Sequence, residues 1–318
     1  MKIVVLDGHT LNPGDLSWRE IETLGTLTVY ERTKNKDIIE RAQDAEVILT
    51  NKTIIKAEHL CQLPALKYIG VLATGYNVVD IEAARERGII VCNIPAYGTP
   101  SVAQMVFAFL LTITNRVEHY TVKNRQGEWC SSTDFCYWDT PLRELTGKRF
   151  GIVGLGNIGK AVAKIAIAFG MEVVAVTSKT QEQLGEDIKR IEMNEMLRTC
   201  DVISLNCPLT PQTKELINAQ ALAVMKKECI LINTGRGPLV HEKDLAEALN
   251  KGQIYAYGAD VLSIEPAQAD NPLLTAKNIF LTPHIAWATK EARQRLMTIC
   301  AENIKAYIRK EPQNVVNR

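Results

Sequence analysis

Through roughly the first 95 residues, short β-branched and aliphatic runs alternate with amphipathic stretches. Residues 2–6, 26–30, 47–50, 68–71 and 89–92 read as buried strands, and the segments between them read as helices. Ser17-Trp18-Arg19-Glu20 has the S-x-x-E spacing of a capping box, in which a hydroxyl and a carboxylate satisfy free amides at a helix start. Strands alternating with helices imply a parallel sheet covered on both faces, and therefore an α/β fold.

A second unit is expected from about Thr99. Pro100 and the spacing of Ser101 and Gln104 open a long apolar helix as a second capping box. Residues 116–149 then read as polar and irregular, yet they hold Trp129, Phe135, Tyr137 and Trp138 within ten residues. Such a knot needs burial, either as a satellite core or as an arm against a second subunit. From Phe150 the alternation resumes, with strands at 150–153, 173–176, 202–205, 230–233, 257–261 and 279–281. The last helix, about 290–309, places Ala292, Leu296, Ile299, Ile304 and Ile308 on one face, suited to packing on the first unit. There is no fixed-period repeat, low-complexity tract or flexible linker.

Size and charge narrow the class. At roughly 100 to 200 residues per domain, 318 residues suggest two domains. Thirty-seven Lys and Arg against 36 Asp and Glu give a net charge of +1, so no net field favours nucleic acid or an anionic membrane, and the expected partner is a small molecule. The longest apolar run, 102–113, falls short of the about 20 residues needed to span a bilayer. Eight cysteines at 61, 92, 130, 136, 200, 207, 229 and 300 form no C-x-x-C pair and no zinc-like cluster, so they read as reduced thiols and no metal is expected. The apolar stretch at the start is too short for a signal peptide, which makes the cytoplasm the default expectation.

The strongest local signal is Gly154-Leu155-Gly156-Asn157-Ile158-Gly159, which follows a strand, opens a helix and precedes another strand. Gly154 permits the tight turn, Gly156 lets the backbone approach a pyrophosphate, and Gly159 lets the helix pack closely on the strand. The acid that usually binds the adenosine ribose is missing; the chain reads Val176-Thr177-Ser178-Lys179-Thr180 there. Hydroxyls and a cation suit a 2′-phosphate, so NADP is expected to serve at least as well as NAD, with Ser178, Lys179 and Thr180 around the phosphate. A surface turn that merely lacks the acid is the competing reading.

A reaction site is expected in the last third, where Arg236, Glu265 and His284 each follow a strand and ligands in open α/β sheets bind at strand carboxyl ends. Arg236 offers a planar fork for a carboxylate or carbonyl oxygen, and His284 can exchange a proton if Glu265 fixes its tautomer. Taken singly, each has a bland reading as a surface ion pair or a structural histidine.

Over essentially its whole length the chain resembles the D-isomer-specific 2-hydroxyacid dehydrogenases. The resemblance rests on the glycine motif, the Cys207-Pro208-Leu209-Thr210 and Thr213 stretch, Asn233-Thr234-Gly235-Arg236-Gly237-Pro238-Leu239-Val240, Asp260-Val261 with Glu265-Pro266, and Thr282-Pro283-His284-Ile285-Ala286. Asn93-Ile94-Pro95-Ala96-Tyr97-Gly98-Thr99-Pro100-Ser101-Val102-Ala103-Gln104, with Trp129 and Asp134-Phe135-Cys136-Tyr137-Trp138, is similar to the branch of glycerate dehydrogenases and hydroxypyruvate reductases.

The resemblance implies two doubly wound parallel-sheet domains with a cleft between them. A flavodoxin-like substrate domain would comprise 1–99 plus 287–318, and a Rossmann dinucleotide-binding domain 100–286, with 116–149 as a dimerisation arm of a homodimer. It implies a catalytic trio of Arg236, Glu265 and His284, and a substrate carboxylate held by the backbone amides of Ala73, Thr74 and Gly75 together with Arg236. Cofactor contacts would come from Gly154, Gly156, Asn157, Ile158, Gly159, Thr177, Ser178, Lys179, Cys207, Pro208, Thr213 and Thr234, with Asp260 receiving the nicotinamide carboxamide. Departures from the pattern are Thr177 where an Asp is common, Gln104 where a Glu is common, and His241 where Asp or Asn is usual. Gln104 is then expected to keep a capping role and His241 to start a helix. The implied reaction is hydride transfer from NAD(P)H to a small 2-oxo acid such as hydroxypyruvate or glyoxylate, with domain closure bending at 97–100 and 285–289. Another 2-hydroxy acid, a dinucleotide-sensing corepressor-like protein and a purely structural protein are the other readings.

Overall fold

The computed structural model describes all 318 residues. The chain divides into two compact units, one made of Met1–Gly98 with Trp287–Arg318 and the other of Thr99–Ala286. No helix is long and apolar enough to cross a membrane.

The first unit is built on a parallel sheet of β1 (Lys2–Val5), β2 (Thr26–Val29), β3 (Val47–Thr50), β4 (Tyr68–Val71) and β5 (Ile90–Cys92), in the order β2-β1-β3-β4-β5. The central strands are apolar throughout because helices cover both faces, as a buried parallel sheet requires. Strand order reverses between β1 and β3, the position where doubly wound sheets open a crevice. Asp7, just past β1, accepts from the amides of Asn51, Lys52 and Thr53 at 2.7, 2.6 and 2.7 Å and so fastens the turn after β3. The helix Lys290–Ile308 packs against this sheet through Ala292, Leu296, Cys300 and Ile304. Each fully buried aliphatic side chain of this kind stabilises by roughly 1.5–3 kcal/mol. Ile308 departs from the expected apolar face: it is 49% exposed, while its neighbour Tyr307 packs on Tyr68. Beyond it the chain turns back along β5, where Val316 N–H donates to Val91 and Asn317 brackets Val91 and Ile89, covering an edge strand.

Two expected caps are corrected. The helix Arg19–Glu22 has Trp18 as its N-cap, and the Ser17 hydroxyl accepts from the Arg19 amide at 3.1 Å instead of closing a capping box. The helix Thr99–Asn115 begins two residues before Ser101, so Ser101 lies inside its first turn rather than ahead of it, and Gln104 lies further along on an exposed face.

Arg293 forms a bidentate pair with Asp15, both contacts at 2.7 Å, and also donates to the carbonyls of Leu11 and Ala288. Hydrogen bonding to that guanidinium holds the Asp15 carboxyl below the usual carboxylate range. A depressed folded-state pKa stabilises above the unfolded value of about 3.9, and the contribution is lost as pH falls through the folded value. Asp15→Asn is therefore expected to lower thermal stability relative to the native chain at neutral pH, with the gap closing as pH drops below about 4. Melting curves across that range test it, and a pH-independent gap would remove the ion pair as its cause.

The second unit has seven parallel strands: β6 (Arg149–Val153), β7 (Glu172–Val176), β8 (Ile188–Arg190), β9 (Val202–Leu205), β10 (Ile230–Asn233), β11 (Ala256–Ala259) and β12 (Ile279–Leu281). Their order is β12-β11-β10-β9-β6-β7-β8, with the reversal between β6 and β9. The helix Thr99–Asn115 lies across this sheet: Phe109 sits over Gly258 of β11, where a Cβ would come within 2.9 Å of it. Residues 116–149 contain a helix, Val117–Arg125, that the irregular reading lacked; none of its residues is buried, so no apolar stripe announces it. The aromatic knot forms no satellite core. Trp129, Phe135 and Trp138 are 55%, 89% and 70% exposed.

Candidate active site

The glycine motif begins where β6 ends. Gly154 takes φ +93°, a conformation only glycine adopts cheaply, and its N–H donates to Val176. Its α-carbon lies against the backbone of Asn206 and Cys207 after β9, so the two turns on either side of the strand-order reversal are packed together. Gly156 is the N-cap of the helix Asn157–Ala168; it offers no side chain to the first amides, and a Cβ there would meet nothing within 4 Å. At Gly159 a Cβ would lie 2.2 Å from the Gly154 carbonyl oxygen, which is why this helix can sit tight on its strand.

Around this cradle the other expected cofactor residues fall as follows. Cys207 is half-buried, and burial pushes its thiol above the ordinary range. The Thr213 hydroxyl is committed to the Pro208 carbonyl at 2.7 Å, holding its own turn. Thr234 is buried with its hydroxyl unpartnered, as is Asn206 Oδ1, so two polar atoms at the carboxyl ends of β9 and β10 await a ligand. An open helix N-terminus, a cradle without side chains and orphaned buried polar atoms fit a dinucleotide.

Past β7, Lys179 turns back and donates to the Leu155 carbonyl of the glycine loop at 2.9 Å. Burial, and after it the neighbouring Lys160, lowers the Lys179 amine from its ordinary value. Arg190, at the end of β8, reaches the Thr177 carbonyl at 3.4 Å. Three cations thus surround the turn of Thr177 and Ser178, where sequence reading had found only one; β8 is short and half exposed, so nothing in the pattern marked it. Thr180 caps the short helix Gln181–Leu184, its amide donating to Gln183 Oε1 at 3.1 Å.

Arg236, Glu265 and His284 follow β10, β11 and β12, three neighbouring strands, at their carboxyl ends. Buried Asn233 fastens the first loop, donating to the Arg236 carbonyl and accepting from the Gly235 amide. The Arg236 side chain is exposed, makes no ion pair and donates to its neighbour's carbonyl, which disposes of the surface-ion-pair reading. His284 sits at φ +56°, a strained conformation for a residue with a side chain. Asp260 builds that turn: its oxygens accept from Thr282 Oγ1 at 2.5 Å and from the amides of Ile285 and Ala286, both at 2.8 Å. Burial pushes the Asp260 carboxyl upward against these bonds. At 1% exposure, with three donors already on it, Asp260 holds the histidine turn in place. Glu265 Oε2 lies 2.6 Å from His284 Nδ1, and Glu265 Oε1 accepts from the Leu262 amide at 3.1 Å.

In the first unit, Ala73, Thr74 and Gly75 follow β4. The carbonyls of Leu72, Ala73 and Thr74 are drawn back by Asn51 Nδ2, the Ile94 amide and Asn93 Nδ2, at 2.9, 3.0 and 2.7 Å. No group of the chain accepts from the amides of Ala73, Thr74 or Gly75, so the loop presents donors and hides acceptors, as a carboxylate site requires. Asn51, which helps create that polarity, carries no sequence signal of its own, and Asn93 was marked only as the start of a family motif.

The sequence profile of the D-isomer specific 2-hydroxyacid dehydrogenase NAD binding domain matches residues 107–286. The chain belongs to that family. A hydroxypyruvate reductase of Blautia hydrogenotrophica is 49% identical over the full length of both chains. A glycerate dehydrogenase of Methylorubrum extorquens is 41% identical over 99% of this chain and 98% of its own. Among solved structures, an acyclic imino acid reductase in complex with NADPH and D-Arg superposes with a TM-score of 0.86 at 30% identity, covering 99% of this chain and 100% of that one. The 2-hydroxyacid dehydrogenase described here is thus an NAD-dependent oxidoreductase.

Proposed function

We propose that this dehydrogenase reduces a small 2-oxo acid, hydroxypyruvate or glyoxylate, to the 2-hydroxy acid, D-glycerate or the achiral glycolate, with His284 as the proton donor. The observation that carries the reading is the 2.6 Å contact between His284 Nδ1 and Glu265. A carboxylate on Nδ1 fixes that nitrogen as the donor to Glu265 and makes Nε2 the atom that exchanges a proton with substrate oxygen. Arg236 polarises the carbonyl, and the amides of Ala73, Thr74 and Gly75 receive the substrate carboxylate. When bound, the reduced nicotinamide supplies the hydride; Gly154, Gly156, Asn157, Ile158, Gly159 and Thr234 would hold the dinucleotide. Residues 1–99 with 287–318 serve as the substrate domain and 100–286 as the dinucleotide-binding domain. Exposed Trp129, Phe135 and Trp138 support residues 116–149 as the dimerisation arm of a homodimer.

NADP is accepted at least as well as NAD in this reading. Lys179 with Ser178 stands where an acid would repel a 2′-phosphate, and Lys160 and Arg190 add charge of the same sign. A panel of 2-oxo acids assayed with NADH and NADPH tests both parts. Hydroxypyruvate and glyoxylate are expected to show higher kcat/KM than bulkier acids, and NADPH to match or exceed NADH. A large NADH preference would sink the NADP assignment, and negligible turnover with tight dinucleotide binding would favour a sensor.

A further inference from the structure

The stretch from Leu262 to Asn271, which carries Glu265, has no regular structure, and residues 263–270 are all exposed. Packing cannot hold it. Outside their own stretch, residues 263–270 hydrogen-bond only to His284 and to Glu242, the first residue of the helix Glu242–Asn250. Glu242 uses its two oxygens on the two ends of the loop: Oε1 accepts from the Ser263 amide at 2.7 Å and Oε2 from Asn271 Nδ2 at 2.9 Å. Asn271 in turn caps the turn Pro272–Thr275 through the Leu273 amide at 2.9 Å. Both ends of an exposed loop therefore converge on one carboxylate, rooted on a helix whose Leu245, Ala246, Ala248 and Leu249 are buried.

We propose that Glu242 is a positioning residue for the reaction, holding the loop so that Glu265 meets His284. It touches neither substrate nor cofactor in this scheme and acts through Glu265. Charge-assisted bonds to backbone and amide donors are the stronger kind, and a clamp on both ends removes the freedom that eight exposed residues would otherwise have. This inference rests on the roles given above to Glu265 and His284.

The test compares Glu242→Ala, Glu242→Gln, Asn271→Ala, Glu265→Gln and the double variant Glu242→Ala with Glu265→Gln. The readouts are kcat, KM, dinucleotide affinity and, on the chain without dinucleotide, amide hydrogen exchange across 262–271. Glu242→Ala is expected to lose on the order of 10² in kcat, the typical cost of misplacing a catalytic group by about 1 Å, with dinucleotide affinity unchanged. Exchange across the loop should accelerate, and Glu242→Gln should recover most of kcat, because its carbonyl still accepts from Ser263. In the Glu265→Gln background, Glu242→Ala should cost nothing further. Full kcat in Glu242→Ala, or additive losses in the double variant, would overturn the proposal. If Glu242→Ala fails to fold, Asn271→Ala releases one end of the loop with the helix intact, and unchanged kcat and exchange there would overturn it equally. Wild-type kcat in Glu265→Gln would instead bring down the reading of the reaction, and faster loop exchange in Glu242→Ala would still show the clamp itself to be real.

Discussion

The His284→Ala enzyme is expected to keep its fold and its dinucleotide affinity while losing a factor of at least about 10² to 10⁴ in kcat. Each factor of ten corresponds to about 1.36 kcal/mol of transition-state stabilisation, so the chemical loss is about 3 to 5 kcal/mol. The structural cost is far smaller. Alanine at φ +56° is only somewhat more strained than histidine there, and the abandoned Glu265 carboxylate is 37% exposed and can be solvated. The turn keeps its shape because Asp260 holds the amides of Ile285 and Ala286, not the ring. Steady-state rates beside melting curves separate the two effects. A near-native kcat in a well-folded variant would refute the assignment of His284.

Gly159→Ala is expected to be strongly destabilising, while Gly156→Ala, three residues earlier, should fold normally. The added carbon at 159 would stand 2.2 Å from the Gly154 oxygen and 3.2 Å from Ile152 Cγ2. Overpacking usually costs about 1–3 kcal/mol, and this clash is with a main-chain oxygen that no rotamer can move, which puts it at or above the upper end. Relief requires the helix Asn157–Ala168 to lift off β6, which also opens the cradle. At Gly156 the backbone is extended at φ −76° and the space is open, so stability should fall only by the loss of a favoured N-cap, about 1 kcal/mol. Its methyl would occupy the approach of a pyrophosphate, however, and dinucleotide affinity should fall at least about tenfold, or about 1.4 kcal/mol. Urea titrations and dinucleotide titrations of the pair check this. Gly156→Ala binding as tightly as the native chain would show that the backbone there does not meet the pyrophosphate.

The contrast between those glycines shows what spacing can reveal. Buried parallel strands are apolar on both faces, so β1, β3, β4, β6, β7, β9 and β10 stood out as runs, and the glycine motif was legible because it lay between β6 and β7. β8 escaped because Lys189 and Arg190 face solvent at the sheet edge, and with it went Arg190 as a neighbour of Ser178. The helix Val117–Arg125 escaped because it buries nothing. Ser17 and Ser101 misled because the S-x-x-E and S-x-x-Q spacings also occur one residue before a cap or inside a first turn. Arg236, Glu265 and His284 could each be marked at a strand end, but the meeting of Glu265 with His284 depends on β11 and β12 lying side by side, which no local window contains. Glu242, Asn51 and Asn93 act on main-chain groups far along the chain. Periodicity is blind to such partners.

The first unit is interrupted: its sheet lies within the first 98 residues, yet the helix Lys290–Ile308 that covers Leu49 and Tyr68, and the tail along β5, come from the other end. During synthesis at about 5–20 residues per second, the first sheet therefore waits some ten seconds or more, one face bare, while Thr99–Ala286 emerges and folds as a continuous block. A chain released before residue 290 would present an apolar sheet face to chaperones, whereas the inserted unit would have all of its residues.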